Sequence, residues 1–150
     1  SDLNAKAKMI GMMDTHYVEP TGLSFHNQST AHDLALLANV AYQVPLLREI
    51  TTSHGMDVDM GRSVVAFHNT DVLVKNPGWD IGLSKTGFIN EAGHCLLMQA
   101  KISGRNLIMV FLDSVGSYSR FADAERVRRW LDSDPKTAIS FTSSTQNDEG

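Results

Sequence analysis

Residues 83–96 read LSKTGFINEAGHCL, and three neighbours among them could do chemistry together. In Lys85-Thr86-Gly87 a cation, a hydroxyl and a residue without a side chain close an apolar-alternating run. A lysine ammonium there supplies positive charge for a substrate carboxylate, and the threonine hydroxyl donates a hydrogen bond to the same group. Glycine lets an acyl group come close to the strand backbone. The N–H of the next residue, Phe88, would then form one arm of an oxyanion hole. Three common residues also recur by chance in purely structural strands, so the surroundings must decide.

Those surroundings are a meander. WDIGLSKTGFI (79–89), GHCLLMQAKI (93–102) and NLIMVFLD (106–113) read as three strands. The joints 90–92 and 103–105 are short enough for hairpins, so neighbouring strands should be antiparallel. The third strand is almost wholly apolar, as fits a position covered on both faces. A helix over about 118–132 follows, with Phe121, Ala124, Val127 and Leu131 on one stripe. Ahead of the meander, residues 2–10 have helix-forming composition and stop at Gly11. Residues 15–27 read as a loop broken by Pro20 and Gly22. Ser29 is the expected N-cap of a helix over about 30–42, whose Leu34, Leu37, Ala38 and Ala41 share a face. Pro45 opens a short helical turn to Glu49, and residues 51–80 mix strand-like pieces with turns. The class is mixed α/β, of the α+β type. Residues 1–132 make one folded unit, and 133–150 are expected to be a disordered polar tail.

Composition narrows the classes of function. The chain has 150 residues, 42% hydrophobic and 20% charged, which suits one ordinary globular domain. A net charge of −4 gives no electrostatic reason to expect nucleic acid. The local basic run Arg126, Arg128, Arg129 is expected to be a solvated helix face. A single cysteine, Cys95, excludes an internal disulfide. No apolar run reaches the roughly 18 residues of a membrane span, and no signal segment opens the chain. It starts at Ser1 rather than methionine, which suggests a partial product.

Lys-Thr-Gly has companions in acylating serine sites: a Ser-x-x-Lys carrying the nucleophile and a Ser-x-Asn-like element. Only Ser133-Asp134-Pro135-Lys136 has the first spacing, and no Ser-x-Asn occurs. A nucleophile needs a rigid seat with its lysine one helical turn on. A proline inside a tail does not provide that seat, so the nucleophile is expected to be absent from this chain.

Taken together, NAKAKMIGM (4–12), THYVEPTGLS (15–24), STAHDLALL (29–37), HNTDVLV (68–74), LSKTGFINEAGHCLLM (83–98) and RFADAERVRRWL (120–131) resemble low-molecular-mass penicillin-binding proteins. The D-alanyl-D-alanine endopeptidase type is the nearest. The resemblance runs from Asn4 to Leu131 and covers only the C-terminal part of that family's catalytic domain. It implies a serine β-lactamase/DD-peptidase-like fold, an antiparallel five-stranded sheet flanked by helices, here as a partial domain. It also implies a periplasmic, cofactor-free serine peptidase that cuts D-alanyl bonds of peptidoglycan stem peptides through an acyl-enzyme and is acylated by β-lactams. Lys85, Thr86 and Gly87 are the matching third motif, and Phe88 follows at the oxyanion position. The Lys-Thr-Gly strand should lie at a sheet edge, where an extended peptide can pair. The expected partners are the N-terminal half of the same domain, or a dimer covering the edge of the 106–113 strand.

Rival chemistries find less support. His26 and His32 are six apart, outside common ligand spacing on one helix, and no His-Glu-x-x-His exists. No metal site is expected. His16 and His26 read as loop residues, His94 as structural, and Met9, Met12 and Met13 as core filler. The alternative of another class is a non-catalytic module that binds wall peptides or a partner through the Lys85 strand.

Overall fold

The computed structural model of the chain describes residues 2–133. Its elements run α1 (Asp2–Met9), α2 (Ala31–Tyr42), α3 (Pro45–Thr52), β1 (Gly55–Asp59) and β2 (Val64–His68). A 3₁₀ turn (Val72–Lys75) leads to β3 (Asp80–Ile89), β4 (Gly93–Ile102), β5 (Arg105–Ser114) and α4 (Ser119–Ser133). The meander forms as expected. β3 pairs antiparallel with β4 from Asp80↔Lys101 to Ile89↔Gly93, and β4 with β5 from His94↔Ser114 to Ile102↔Arg105. Ser103 and Gly104 turn the second hairpin with φ of 48° and 77°, the positive values that a two-residue type I′ turn requires.

β4 is central, so the Lys-Thr-Gly strand lies at one edge and the apolar strand β5 at the other. One residue interrupts the β3–β4 ladder. Pairing passes from Ile81↔Ala100 to Leu83↔Gln99, leaving Gly82 as a bulge. A side chain at Gly82 would strike Gln99 Oε1 and come within 2.7 Å of Tyr42 Cε2, so only glycine lets α2 approach the sheet here.

Register assigns each side chain to a face. Leu96, Met98, Ala100, Ile102 and Met109 are buried with Phe121, Ala124 and Leu131 of α4, and Leu73 and Trp79 close the same core. Each Leu, Ile, Met or Phe side chain removed from water here contributes roughly 1.5–3 kcal/mol, which makes this face the main source of stability. α2 and α3 pack on the opposite face. The sheet therefore lies between α4 on one side and α2 with α3 on the other.

Several expectations need correction. The N-cap of α2 is Thr30, not Ser29: Thr30 Oγ1 accepts from Asp33 N at 3.1 Å. Ser29 Oγ instead bonds Thr15 Oγ1 at 2.8 Å. α3 continues to Thr52, beyond the single turn expected. β1 and β2 form a hairpin from Gly55↔His68 to Asp59↔Val64 in the stretch read only as mixed pieces. Met12 is buried, but Met9 and Met13 are each 74% exposed; α1, which ends at Met9, buries only Ala7. Arg128 stacks 5.0 Å from the Trp79 ring centre, so the basic run is not wholly solvated. α4 includes Ser133, and the rest of the expected tail, 134–150, lies outside the described residues.

The α2 side is unfinished. Among the described residues no strand pairs the outer edge of β5. Leu112 of β5, Val40 of α2, Val44, and Leu46 and Ile50 of α3 are exposed. No helix among the described residues is long and apolar enough to cross a membrane. In the loop before α2, His16 and Gln28 exchange backbone bonds of 2.8 and 2.9 Å. Glu19 gathers that loop. Its carboxylate accepts from the backbone of Thr21 (2.5 Å), Gly22 (3.0 Å) and Ser24 (3.1 Å), from Asn27 Nδ2 (2.5 Å) and from the Thr21 hydroxyl. The Thr21 hydroxyl first, then the Ser24 N–H, hold its pKa at about 2, against an ordinary 4.5.

Candidate active-site strand

Alternation along β3 sends Leu83, Lys85 and Gly87 to the α2 side and Ser84, Thr86 and Phe88 to the α4 side. The Lys85 ammonium is exposed and donates to the Thr86 carbonyl. Among the described residues no carboxylate lies within ion-pair distance of it. Lys85 thus offers an uncommitted positive charge at a sheet edge. The Phe88 ring, 55% exposed, stacks on His94 with centroids 4.2 Å apart.

The triplet is held from outside the sheet by residues 69–71. Asn69 Nδ2 donates to the Thr51 and Ser53 carbonyls at 3.0 and 2.8 Å, and its Oδ1 accepts from Asp71 N at 2.9 Å. Asp71, fully buried, accepts from Ser84 Oγ at 2.6 Å and from Leu73 N at 2.9 Å. A buried carboxylate is tolerated because both its oxygens are satisfied. Between these two residues, Thr70 Oγ1 lies 2.6 Å from Thr86 Oγ1.

Arg120 holds the far end of the triplet. Its guanidinium is buried and donates from Nη1 to the carbonyls of Gly87 (3.2 Å) and Cys95 (2.9 Å), and from Nε to Ser117 O at 3.1 Å. It also lies 4.9 Å from the Phe121 ring centre. The sequence reading missed Thr70, Asp71 and Arg120. Only Arg120 left a signal there: it stands four residues before Ala124, on the apolar stripe, where a charge is out of place unless paired.

On the α2 side a cavity of about 360 Å³ opens beside the triplet. Its walls are almost wholly apolar: Leu34, Leu37, Ala38 and Ala41 of α2, Leu47 and Thr51 of α3, and Leu83, Cys95, Leu97 and Leu112 of the sheet. Lys85, Thr86 and Gly87 form its rim. An ammonium beside apolar walls interacts with an anion more strongly than it would in open solvent.

Lys85, Thr86, Gly87 and Phe88 therefore come together on one strand, with Cys95 paired opposite Gly87. Ser133 does not join them. It ends α4, on the other side of the sheet, and its hydroxyl donates to Trp130 O at 2.9 Å. His16, His26 and His32 lie in or beside the loop that precedes α2, not on this strand.

Comparison with known proteins gives a family and a fold. Residues 1–116 match the D-alanyl-D-alanine carboxypeptidase family. The D-alanyl-D-alanine endopeptidase of Pseudomonas aeruginosa is 48% identical over 139 residues, covering 91% of this chain and 45% of that protein. The D-alanyl-D-alanine endopeptidase of Escherichia coli is 42% identical over 146 residues, covering 93% and 47%. Among solved structures, penicillin-binding protein D2 from Listeria monocytogenes in its cefotaxime-bound form gives a TM-score of 0.72 at 28% identity, covering 85% of this chain and 52% of that one. The Streptomyces K15 DD-transpeptidase gives 0.76 at 24% identity over 88% and 53%, a likeness of fold. The chain spans about half the length of the curated relatives it matches.

Proposed function

We propose a function from one premise: the chain belongs to the D-alanyl-D-alanine carboxypeptidase family. It is the C-terminal part of the catalytic domain of a serine-type D-alanyl-D-alanine peptidase, a hydrolase acting on peptidoglycan stem peptides in the periplasm. Endopeptidase action is the preferred form, since the relatives at 48% and 42% identity carry that name. The observation that carries the reading is the Lys-Thr-Gly triplet on an edge strand, its lysine free of carboxylates among the described residues and an apolar groove beside it.

Each residue then has a task. The nucleophile is a serine of a Ser-x-x-Lys element in the N-terminal part of the domain, which fills the open α2 side. Its Oγ attacks the D-alanyl carbonyl, and the tetrahedral oxygen is received by the Phe88 N–H. The amine leaves with a proton, and water then releases the acyl group from the serine. Lys85 and the Thr86 hydroxyl bind the substrate carboxylate, a charge-assisted contact. Gly87 leaves room for the acyl chain against β3, where the peptide pairs as an added strand. β-Lactams enter the same site and stop at the acyl stage.

The test is acylation by a fluorescent penicillin. The 150-residue chain alone should form no covalent adduct, and the chain assembled with the N-terminal part of its domain should form one. An adduct mapped to a serine of this chain, Ser133 included, would overturn the assignment of the nucleophile. Tight binding of wall peptides by the chain alone, with no acylation in any assembly, would favour the non-catalytic module.

A further inference from the structure

We infer that Thr70 is a positioning residue whose hydroxyl fixes the direction in which Thr86 donates. The inference rests on the proposed role of Thr86 toward the substrate carboxylate. The two hydroxyl oxygens are 2.6 Å apart, close enough that one must donate to the other. Each hydroxyl carries a single proton. If Thr86 donates to Thr70, its proton is spent and it can only accept. If Thr70 donates to Thr86, the Thr86 proton is free to turn toward an anion at the strand edge. A bound carboxylate selects this second arrangement, and the Thr70 bond polarises the Thr86 O–H further.

The placement of Thr70 is built into the fold. Its neighbours are both committed to structure: Asn69 to the C-terminal end of α3 and Asp71 to Ser84 and the 3₁₀ turn. Between two anchored residues, the exposed Thr70 presents its hydroxyl to the triplet from outside the sheet. Its oxygen has no other hydrogen bond among the described residues. Nothing else therefore dictates which way its proton points.

The test is a double-mutant cycle in the protein assembled with its nucleophile-bearing part, read as the second-order rate of acylation. Two acylating ligands are used, a penicillin with its free carboxylate and the methyl ester of the same penicillin. Thr86→Val should slow the carboxylate ligand about 10- to 100-fold, the range for a lost hydrogen bond to a charged group. Thr70→Val should slow it about 5- to 10-fold, Thr70→Ser should restore the rate, and the pair should be no slower than Thr86→Val alone. Reaction with the ester should change less than twofold in Thr70→Val, which a merely structural loss would not allow. A Thr70→Val variant at the unsubstituted rate or faster, additive losses in the pair, or equal losses on both ligands would overturn the inference while leaving the functional reading intact. An unchanged rate in Thr86→Val would instead overturn the role of Thr86, and the inference with it. If Thr70→Val fails to fold, Thr70→Ser and Thr70→Ala decide: a serine rate like alanine's counts against the inference.

Discussion

Arg120 of α4 reaches through the sheet edge to Gly87 of β3, its Nη1 donating 3.2 Å to the Gly87 carbonyl and 2.9 Å to that of Cys95. One buried cation thus joins the C-terminal helix to the triplet and to the strand beside it. Replacing it with methionine keeps much of the packing volume and strands those carbonyls without a donor. An unmet buried group costs about 1–3 kcal/mol, so the half-buried Cys95 carbonyl sets the loss and the exposed Gly87 carbonyl, open to water, adds little. Arg120→Met should lower the urea midpoint of the assembled protein accordingly, with Arg120→Lys losing less. An unchanged midpoint would show that water replaces the guanidinium at no cost.

Lys85→Ala should slow acylation of the assembled enzyme by about 10²-fold or more, the scale of one preorganised electrostatic partner. Thr86→Val removes a neutral donor and keeps the shape, so its loss should be smaller. Single-turnover kinetics with a labelled penicillin would separate the two. Equal rates for Lys85→Ala and the unsubstituted protein would reduce the triplet to a structural strand.

The loop around Glu19 should be acid-sensitive. Its folded pKa of about 2 lies below the ordinary 4.5, so its contribution is fully present above pH 4.5. As pH falls through the folded value, protonation removes that contribution. Hydrogen exchange of the Thr21, Gly22 and Ser24 amides should therefore accelerate, relative to the core, between pH 4.5 and about 2. In Glu19→Gln these amides should exchange fast already near neutral pH. Protection that ignores pH over this window would contradict the account.

The open edge of β5 predicts the behaviour of the isolated chain. Unpaired backbone beside Leu112 is a template for strand addition, and the exposed side chains of α2 and α3 add apolar surface. Each large side chain left in water forfeits up to roughly 1.5–3 kcal/mol, against a domain stability of about 5–15 kcal/mol. Alone, the chain should aggregate or remain partly unfolded, and with the N-terminal half it should become monodisperse. Light scattering and a thermal melt would decide. A sharp cooperative melt from a monomer of this chain alone would favour the independent binding module.

Legibility in the sequence followed the range of the interactions. β3, β4 and β5 were readable because ten-residue strands joined by two or three residues leave little choice of pairing. The stripe of α4 was readable because Phe121, Ala124 and Leu131 repeat with the helical period. The hairpin β1–β2 was not, since its five-residue strands are almost entirely exposed and carry no contrast between faces. Ser29 and Thr30 are both good caps, and only the Thr15 contact tells them apart. In the site, Lys85, Thr86 and Gly87 could be named because they adjoin in sequence. Thr70 and Arg120 meet that triplet across 16 and 33 residues respectively, through bonds that no local pattern announces.

Gly82 has a further consequence, one of phase. Residues 81 and 83 of an uninterrupted strand would point the same way. The bulge makes them opposite: Ile81 packs against the core under α4, and Leu83 lines the groove under α2. Every residue after it inherits that half-turn. Were Gly82 taken into the ladder as an ordinary strand residue, the register would slip by one, turning Lys85 toward the hydrophobic core and Thr86 and Phe88 to the groove. Deleting Gly82 would leave Ile81 and Leu83 consecutive, still on opposite faces, and the triplet where it is. The bulge is thus the parity switch of the strand: which face Lys85 presents depends on Gly82 staying outside the ladder.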